Sequence, residues 1–152
     1  MVFRLAATGK APALWLRLLD SLTARPLAGT DNGDFPFWSS DSRSLAFYVG
    51  GKLKRIDPLA DDASPMVICD ASDLDRSVTG GAWSREGVIL IGSPEGLHRA
   101  PASGGPAQLI AAVDPGAQET GYGSPQFLPG QDRFIFFVRS PCYPRHITTS
   151  AT

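Results

Sequence analysis

The strongest constraint on what this 152-residue chain can fold into is a repeat of about 44 residues. One block runs Phe37-Trp38-Ser39-Ser40-Asp41-Ser42-Arg43-Ser44-Leu45-Ala46-Phe47 and continues at Gly51-Lys52-Leu53-Lys54-Arg55-Ile56-Asp57. A second runs Ala82-Trp83-Ser84-Arg85-Glu86-Gly87-Val88-Ile89-Leu90-Ile91 and continues at Gly96-Leu97-His98-Arg99. A third runs Gln126-Phe127-Leu128-Pro129-Gly130-Gln131-Asp132-Arg133-Phe134-Ile135-Phe136-Phe137. Trp38 and Trp83 are 45 positions apart, Trp83 and Phe127 are 44, and Arg55 and Arg99 are 44. Phe3, Phe47 and Ile91 are also spaced by 44, which makes Val2-Phe3-Arg4-Leu5-Ala6 part of an earlier copy. A short unit repeated in this way cannot bury its apolar face alone and must stack on its neighbours.

Each copy reads as four short strands. An aromatic-bearing strand runs into a polar turn, Ser40-Asp41-Ser42-Arg43 or Arg85-Glu86-Gly87, whose residue types favour tight reversal. The second strand is a near-continuous apolar run (Leu45 to Val49, Val88 to Ile91, Phe134 to Val138), so both its faces must be covered. The third, around Leu53 to Ile56 and Leu97 to Arg99, alternates apolar with basic residues. The fourth, around Val67-Ile68 and Leu109-Ile110, follows Gly- or Pro-rich turns such as Ser103-Gly104-Gly105-Pro106. Burial falling from the second strand outward is what radially arranged blades require. A parallel α/β sheet needs amphipathic crossover helices that do not fit between these hairpins, and a β-sandwich gives no reason for the period.

The fold class expected is therefore all-β, a partial, open β-propeller of about three and a quarter four-stranded antiparallel blades over residues 1–140. These divide into an incomplete blade (1–30), two blades (31–75 and 76–115) and a half blade (116–140), followed by an irregular tail (141–152). Four blades of this period need roughly 176 residues, so the arc cannot close alone. Phe134, Phe136 and Leu5 are expected to be partly uncovered at its ends, where open faces and strand edges favour self-association.

Composition narrows the functional classes. A net charge of −1 provides no field for a phosphate backbone, and the one basic cluster, Lys52, Lys54 and Arg55, reads as the exposed side of a half-buried strand, so nucleic acid is excluded as a partner. Cys69 and Cys142 lack metal or redox spacing. There is no 18-residue apolar run to insert in a membrane and no signal-peptide core, so the chain as written is expected in the cytoplasm.

The blocks resemble the WD-repeat-like motif of TolB-type β-propellers, in which an aromatic residue and a Ser-Pro-Asp-Gly type turn precede an apolar strand. Ser40 stands where that family usually has Pro, Arg85-Glu86 replaces Pro-Asp, and Pro129-Gly130-Gln131-Asp132 is a lengthened variant. The chain is more closely similar, over about residues 2 to 139, to the C-terminal propeller of bacterial serine/threonine protein kinases. Leu14-Trp15-Leu16-Arg17-Leu18-Leu19-Asp20-Ser21, Phe35-Pro36-Phe37-Trp38-Ser39, Gly50-Gly51-Lys52-Leu53-Lys54 and Pro125-Gln126-Phe127-Leu128-Pro129 carry that likeness. It implies a sensory or protein-binding fragment of a larger protein, with a periplasmic or extracellular location as the alternative to the cytoplasm. Kinase motifs are absent from the chain.

No motif for catalysis or a cofactor survives inspection. Residues around Lys52 fail the phosphate-loop spacing, Gly121-Tyr122-Gly123 lacks the third glycine of a dinucleotide fingerprint, and Gly92-Ser93-Pro94-Glu95-Gly96 is misspaced for a nucleophile elbow. His98 and His146 read as surface residues, and Asp31-Asn32-Gly33-Asp34 as turn chemistry rather than a calcium loop. Catalytic, cofactor and metal residues are thus expected to be none. Trp38, Trp83 and Phe127 occupy equivalent inner-strand positions, where packing between blades is preferred to an aromatic ring around a channel. The leading expectation is a non-catalytic interaction or sensory module that binds a protein or peptide, with Asp34 and Tyr122 as candidate partner-surface residues chosen by position. The alternatives are an accessory or gating domain of an enzyme, a kinase or a prolyl-oligopeptidase-type peptidase, and a remnant without selected function.

Overall fold

The computed structural model describes residues 1–6, 8–60, 62–72, 78–130, 133–141 and 143–151, with side chains as far as 141. It contains four antiparallel meander sheets. The first holds β1 (Val2–Leu5), β2 (Ala13–Arg17) and β3 (Ala24–Pro26). The second holds β4 (Asp34–Trp38), β5 (Leu45–Val49), β6 (Lys52–Ile56) and β7 (Met66–Asp70). The third holds β8 (Gly81–Trp83), β9 (Val88–Gly92), β10 (Gly96–Pro101) and β11 (Gln108–Ala112). The fourth holds β12 (Gly121–Phe127), β13 (Arg133–Ser140) and β14 (Tyr143–Ala151). The sheets stand side by side as an open, propeller-like arc, with β4 against β8 and β8 against β12 along the inner edge.

Pairing fixes which residues are equivalent. Trp38 faces Leu45, Trp83 faces Ile89, and Phe127 faces Phe134 across their first hairpins. Arg4 lies opposite Leu14 and Phe3 opposite Trp15, as Phe47 lies opposite Lys54, so β1 takes the place of a second strand. The turns are set by local chemistry. Ser39 Oγ donates to Asp41 Oδ1 at 2.6 Å and accepts from Ser44 N, and Arg43 N donates to the same carboxylate. These bonds hold the Asp41 carboxyl below its ordinary range. In the next sheet Ser84 Oγ accepts from Val88 N, and Gly87 takes the left-handed conformation that closes the turn.

Three apolar clusters fill the gaps between sheets. Leu14, Leu16, Leu45, Phe47 and Ile56 join the first and second sheets; Ala46, Tyr48, Leu53, Ile89 and Ile91 join the second and third; Leu90, Leu97, Tyr122, Phe134 and Phe136 join the third and fourth. Alternate residues of each second strand thus serve opposite neighbours, Phe47 looking back and Ala46 forward. Gly92 is needed where the third and fourth sheets touch, since a Cβ there would lie 2.6 Å from the Tyr122 carbonyl oxygen.

Three expectations are corrected. Residues 143–151 form the third strand of the last sheet, paired along β13, rather than an irregular tail. Pro144 is accommodated because β14 is an edge strand and Pro144 falls at the register shift between the Val138–His146 and Ser140–Tyr143 pairs. Phe134 and Phe136 are 3% and 5% exposed, because their face of β13 meets the third sheet; the uncovered face carries Phe137 instead. Leu5, at 44% exposed, is uncovered as the open arc requires. His98 is buried at 5% exposure. It lies opposite Ile91, on the face of β10 that meets the second sheet, so both faces of this middle strand are covered.

Candidate functional site

The inner strands share one backbone irregularity. In β4 the register shifts between Asp34 and Phe37, and in β12 between Gly123 and Gln126. The residue three before each aromatic position is left-handed in all three sheets: Phe35 (φ 48), Gly80 (φ 111) and Ser124 (φ 47). Pro36 and Pro125 follow two of them, although a residue ahead of proline favours extended backbone. Such a conformation is strained for a side-chain-bearing residue, and bulges of this kind re-aim the side chain. Phe35 is accordingly 38% exposed at the inner edge of the arc, where its equivalents are a glycine and an exposed serine.

These bulges border an open groove of about 760 Å³ running across β4, β8 and β12. Trp38, Trp83 and Phe127 line it while also packing against three different inter-sheet clusters. Phe37 lies across Gly81, whose missing side chain leaves room for the ring. Thr79 staples the groove floor: its hydroxyl donates to the Tyr122 carbonyl at 2.8 Å and its own carbonyl accepts from Ser124 N at 3.0 Å. Among the described residues, the charged ones lining the groove are Arg85 and Arg139. A second depression of about 520 Å³ adjoins it through Ser124 and Arg139.

The two residues singled out from sequence are not brought together, since β8 stands between β4 and β12. Asp34 is half-exposed at the start of β4, where its carboxylate accepts from Phe35 N and lies 3.9 Å from Arg4 of the first sheet. Tyr122 is not a surface residue. It is 7% exposed, its ring centroid is 4.7 Å from that of Phe136, and its hydroxyl donates to Glu119 Oε2 at 2.7 Å and approaches the Ala112 carbonyl at 3.0 Å. Burial, with the Glu119 carboxylate beside it, raises this phenol to about 12. The physical reason is a one-residue offset. Tyr122 is equivalent to Gly33 and Val78, both buried, whereas Asp34 is equivalent to Thr79 and Gly123, and neighbouring strand positions point to opposite faces.

Phe35, Arg85 and Arg139 are not among the residues that position in the repeat singles out. The Phe35-Pro36 and Ser124-Pro125 dipeptides at one repeat position were the available signal.

A further cluster sits inside the β9–β10 hairpin. Ser93 Oγ donates to the Gly96 carbonyl, accepts from Glu95 N, and lies 3.4 Å from His98 Nδ1, while His98 Nε2 is 4.0 Å from Glu95. Ser93 is wholly buried, so its hydroxyl serves the turn and is closed to a substrate. Burial lowers the His98 pKa and outweighs the opposing pull of Glu95. Cys69 is a buried free thiol whose pKa burial raises; Cys142 lies outside the described residues. Among the described residues no group of three or more His, Cys, Asp or Glu could hold a metal, and no helix is long and apolar enough to cross a membrane.

No family model and no curated protein matches the sequence. Among solved structures, the chain is similar to the crystal structure of an ancestral GH74 enzyme, with a TM-score of 0.65 and 12% identity, covering 100% of this chain and 24% of that one. At that identity the likeness concerns fold alone, and the fold is propeller-like. The chain spans about a quarter of that enzyme's length.

Proposed function

We propose that this chain is a non-catalytic interaction or sensory propeller segment of a larger protein, and that its partner is a protein or peptide bound along the inner-strand groove. The observation that carries the reading is the exposed Phe35, held in a left-handed conformation before Pro36 at the mouth of an open groove shared by three sheets. Strain of this kind is kept where the surrounding structure imposes it, and an exposed aromatic beside two packed tryptophans supplies rigid contact area at low entropic cost. The TolB-type motif and the similarity to kinase-borne propellers support a sensory role, and Phe35 stands in the Phe35-Pro36-Phe37-Trp38-Ser39 stretch that carries it.

Panning random dodecapeptides displayed on phage against the chain tests this directly. Enriched peptides that bind the native chain and lose binding in Phe35→Ser, with thermal melting unchanged, are the expected result. No enrichment over a blank surface overturns the reading.

A second reading, that the chain is one segment of an enzyme whose catalytic groups lie elsewhere, is favoured by its spanning 24% of an enzyme of similar fold. The coding sequence on either side separates the two: an adjoining kinase domain selects the sensor, and an adjoining hydrolase selects the accessory domain.

A further inference from the structure

We infer that the groove recognises an extended peptide carrying a carboxylate side chain, with Arg139 and Arg85 as the residues that read the charge. The inference rests on the interaction reading and deepens it. The chain as a whole is slightly acidic, with 15 Asp and Glu against 14 Lys and Arg. Among the described residues the groove reverses that balance: two arginines line it and no carboxylate does. The arginines come from different sheets, Arg85 from the turn after β8 and Arg139 from β13, and both are exposed. Arg139 also lines the adjoining depression, so positive charge continues from one hollow into the next. Of the described carboxylates near the groove, Asp34 accepts from Phe35 N and lies 3.9 Å from Arg4, and Asp41 is turned to its own loop by Ser39 and Arg43 and lines a separate depression shared with Arg85.

A guanidinium presents paired donors that match a carboxylate, and such bonds are the strong ones at a partly desolvated surface. Phe35, Trp83 and Phe127 add apolar and aromatic surface on three sheets. One ligand that touches Phe35 on the second sheet and Arg139 on the fourth must cross the third, which suits an extended segment with an apolar residue at one end and an acidic one at the other. A nucleic-acid strand fits less well, because two arginines in a chain of net charge −1 neutralise too few phosphates.

The same dodecapeptide panning, run on the wild-type chain, Arg139→Glu and Arg85→Gln, decides the matter. Arg85 keeps a contact within the chain, so Arg139→Glu is the first variant and Arg85→Gln the milder companion. Peptides enriched in Asp and Glu on the wild type, binding Arg139→Glu at least about tenfold more weakly, are the expected result. Selection on Arg139→Glu should then shift towards Lys and Arg, with melting unchanged in every variant. Enrichment without acidic residues overturns the charge inference while leaving the interaction reading standing, whereas no enrichment overturns both. Binding of an oligo-dT probe in place of acidic peptides, abolished by Arg139→Glu, would also overturn it in favour of a nucleic-acid strand.

Discussion

The middle sheets and the end sheets have nearly the same strands and different surroundings. On β5 and β9 the residues facing backward (Phe47, Ile91) and forward (Ala46, Leu90) are all buried, because a neighbouring sheet lies on each side. On β13 only one face is covered: Phe134 and Phe136 are buried while Phe137, in the same apolar run, is 38% exposed. Leu5 on β1 shows the same asymmetry at the other end of the arc. Local sequence is equally apolar in both regions, so coverage belongs to position in the arc and not to the strand. Outer strands make the contrast in the radial direction, since Met66, Val67, Leu109 and Ile110 are exposed on β7 and β11.

Phe47→Ala probes the covered region and carries the largest expected effect. The side chain is fully buried between the first and second sheets, and its removal should cost about 3–5 kcal/mol, read as a fall in the urea midpoint. A loss below about 1 kcal/mol would mean that the gap between sheets closes around the cavity, and the contrast with the end sheets would fail.

Tyr122→Phe comes next, at the seam of the third and fourth sheets. The ring and its packing on Phe136 remain, and only the hydroxyl bonds go, so about 0.5–1.5 kcal/mol is expected. The alkaline limb sharpens the test. The folded phenol titrates at about 12, above the ordinary value of 10.0, so between these pH values the unfolded chain gives up the proton more readily. Stability from this group is complete below pH 10.0 and is lost as pH rises towards 12; the Phe variant should lack that part of the decline. An identical alkaline profile in both proteins would dissociate the hydroxyl from the seam.

Phe137→Ser carries the smallest effect on stability, within about 0.5 kcal/mol, because the side chain already meets solvent. Its readout is instead association. Exposed end faces and strand edges recruit other chains, so the wild-type chain should self-associate by light scattering and the serine variant should do so less. A sharply monodisperse wild-type monomer would show that the end faces are not sticky.

Legibility from sequence followed how local each cause is. The hairpin turns were readable because Ser39, Asp41, Ser84 and Gly87 act within a few residues of themselves. Asp34 and Tyr122 both stand near the start of an inner strand, and a single-residue offset puts one at the surface and the other in a core. His98 reads as exposed because it takes an outward position on a strand that alternates apolar with basic residues, and β14 reads as irregular because Pro144 lacks a donor. Both judgements turned on what lies across from the strand, which the segment itself does not record.

By itself the sequence determined the period, the strand order within each blade and the openness of the arc, because repeat spacing, turn residues and apolar runs are written along the chain. Only the tertiary structure decided which face of each strand is covered, that residues 143–151 join the last sheet, and that Phe35, Arg85 and Arg139 share one groove. The covered faces and the groove depend on side chains from sheets some 45 or 90 positions apart in the sequence meeting in space, the last strand depends on backbone pairing with β13, and the bulges are set by backbone conformation that residue type alone does not impose.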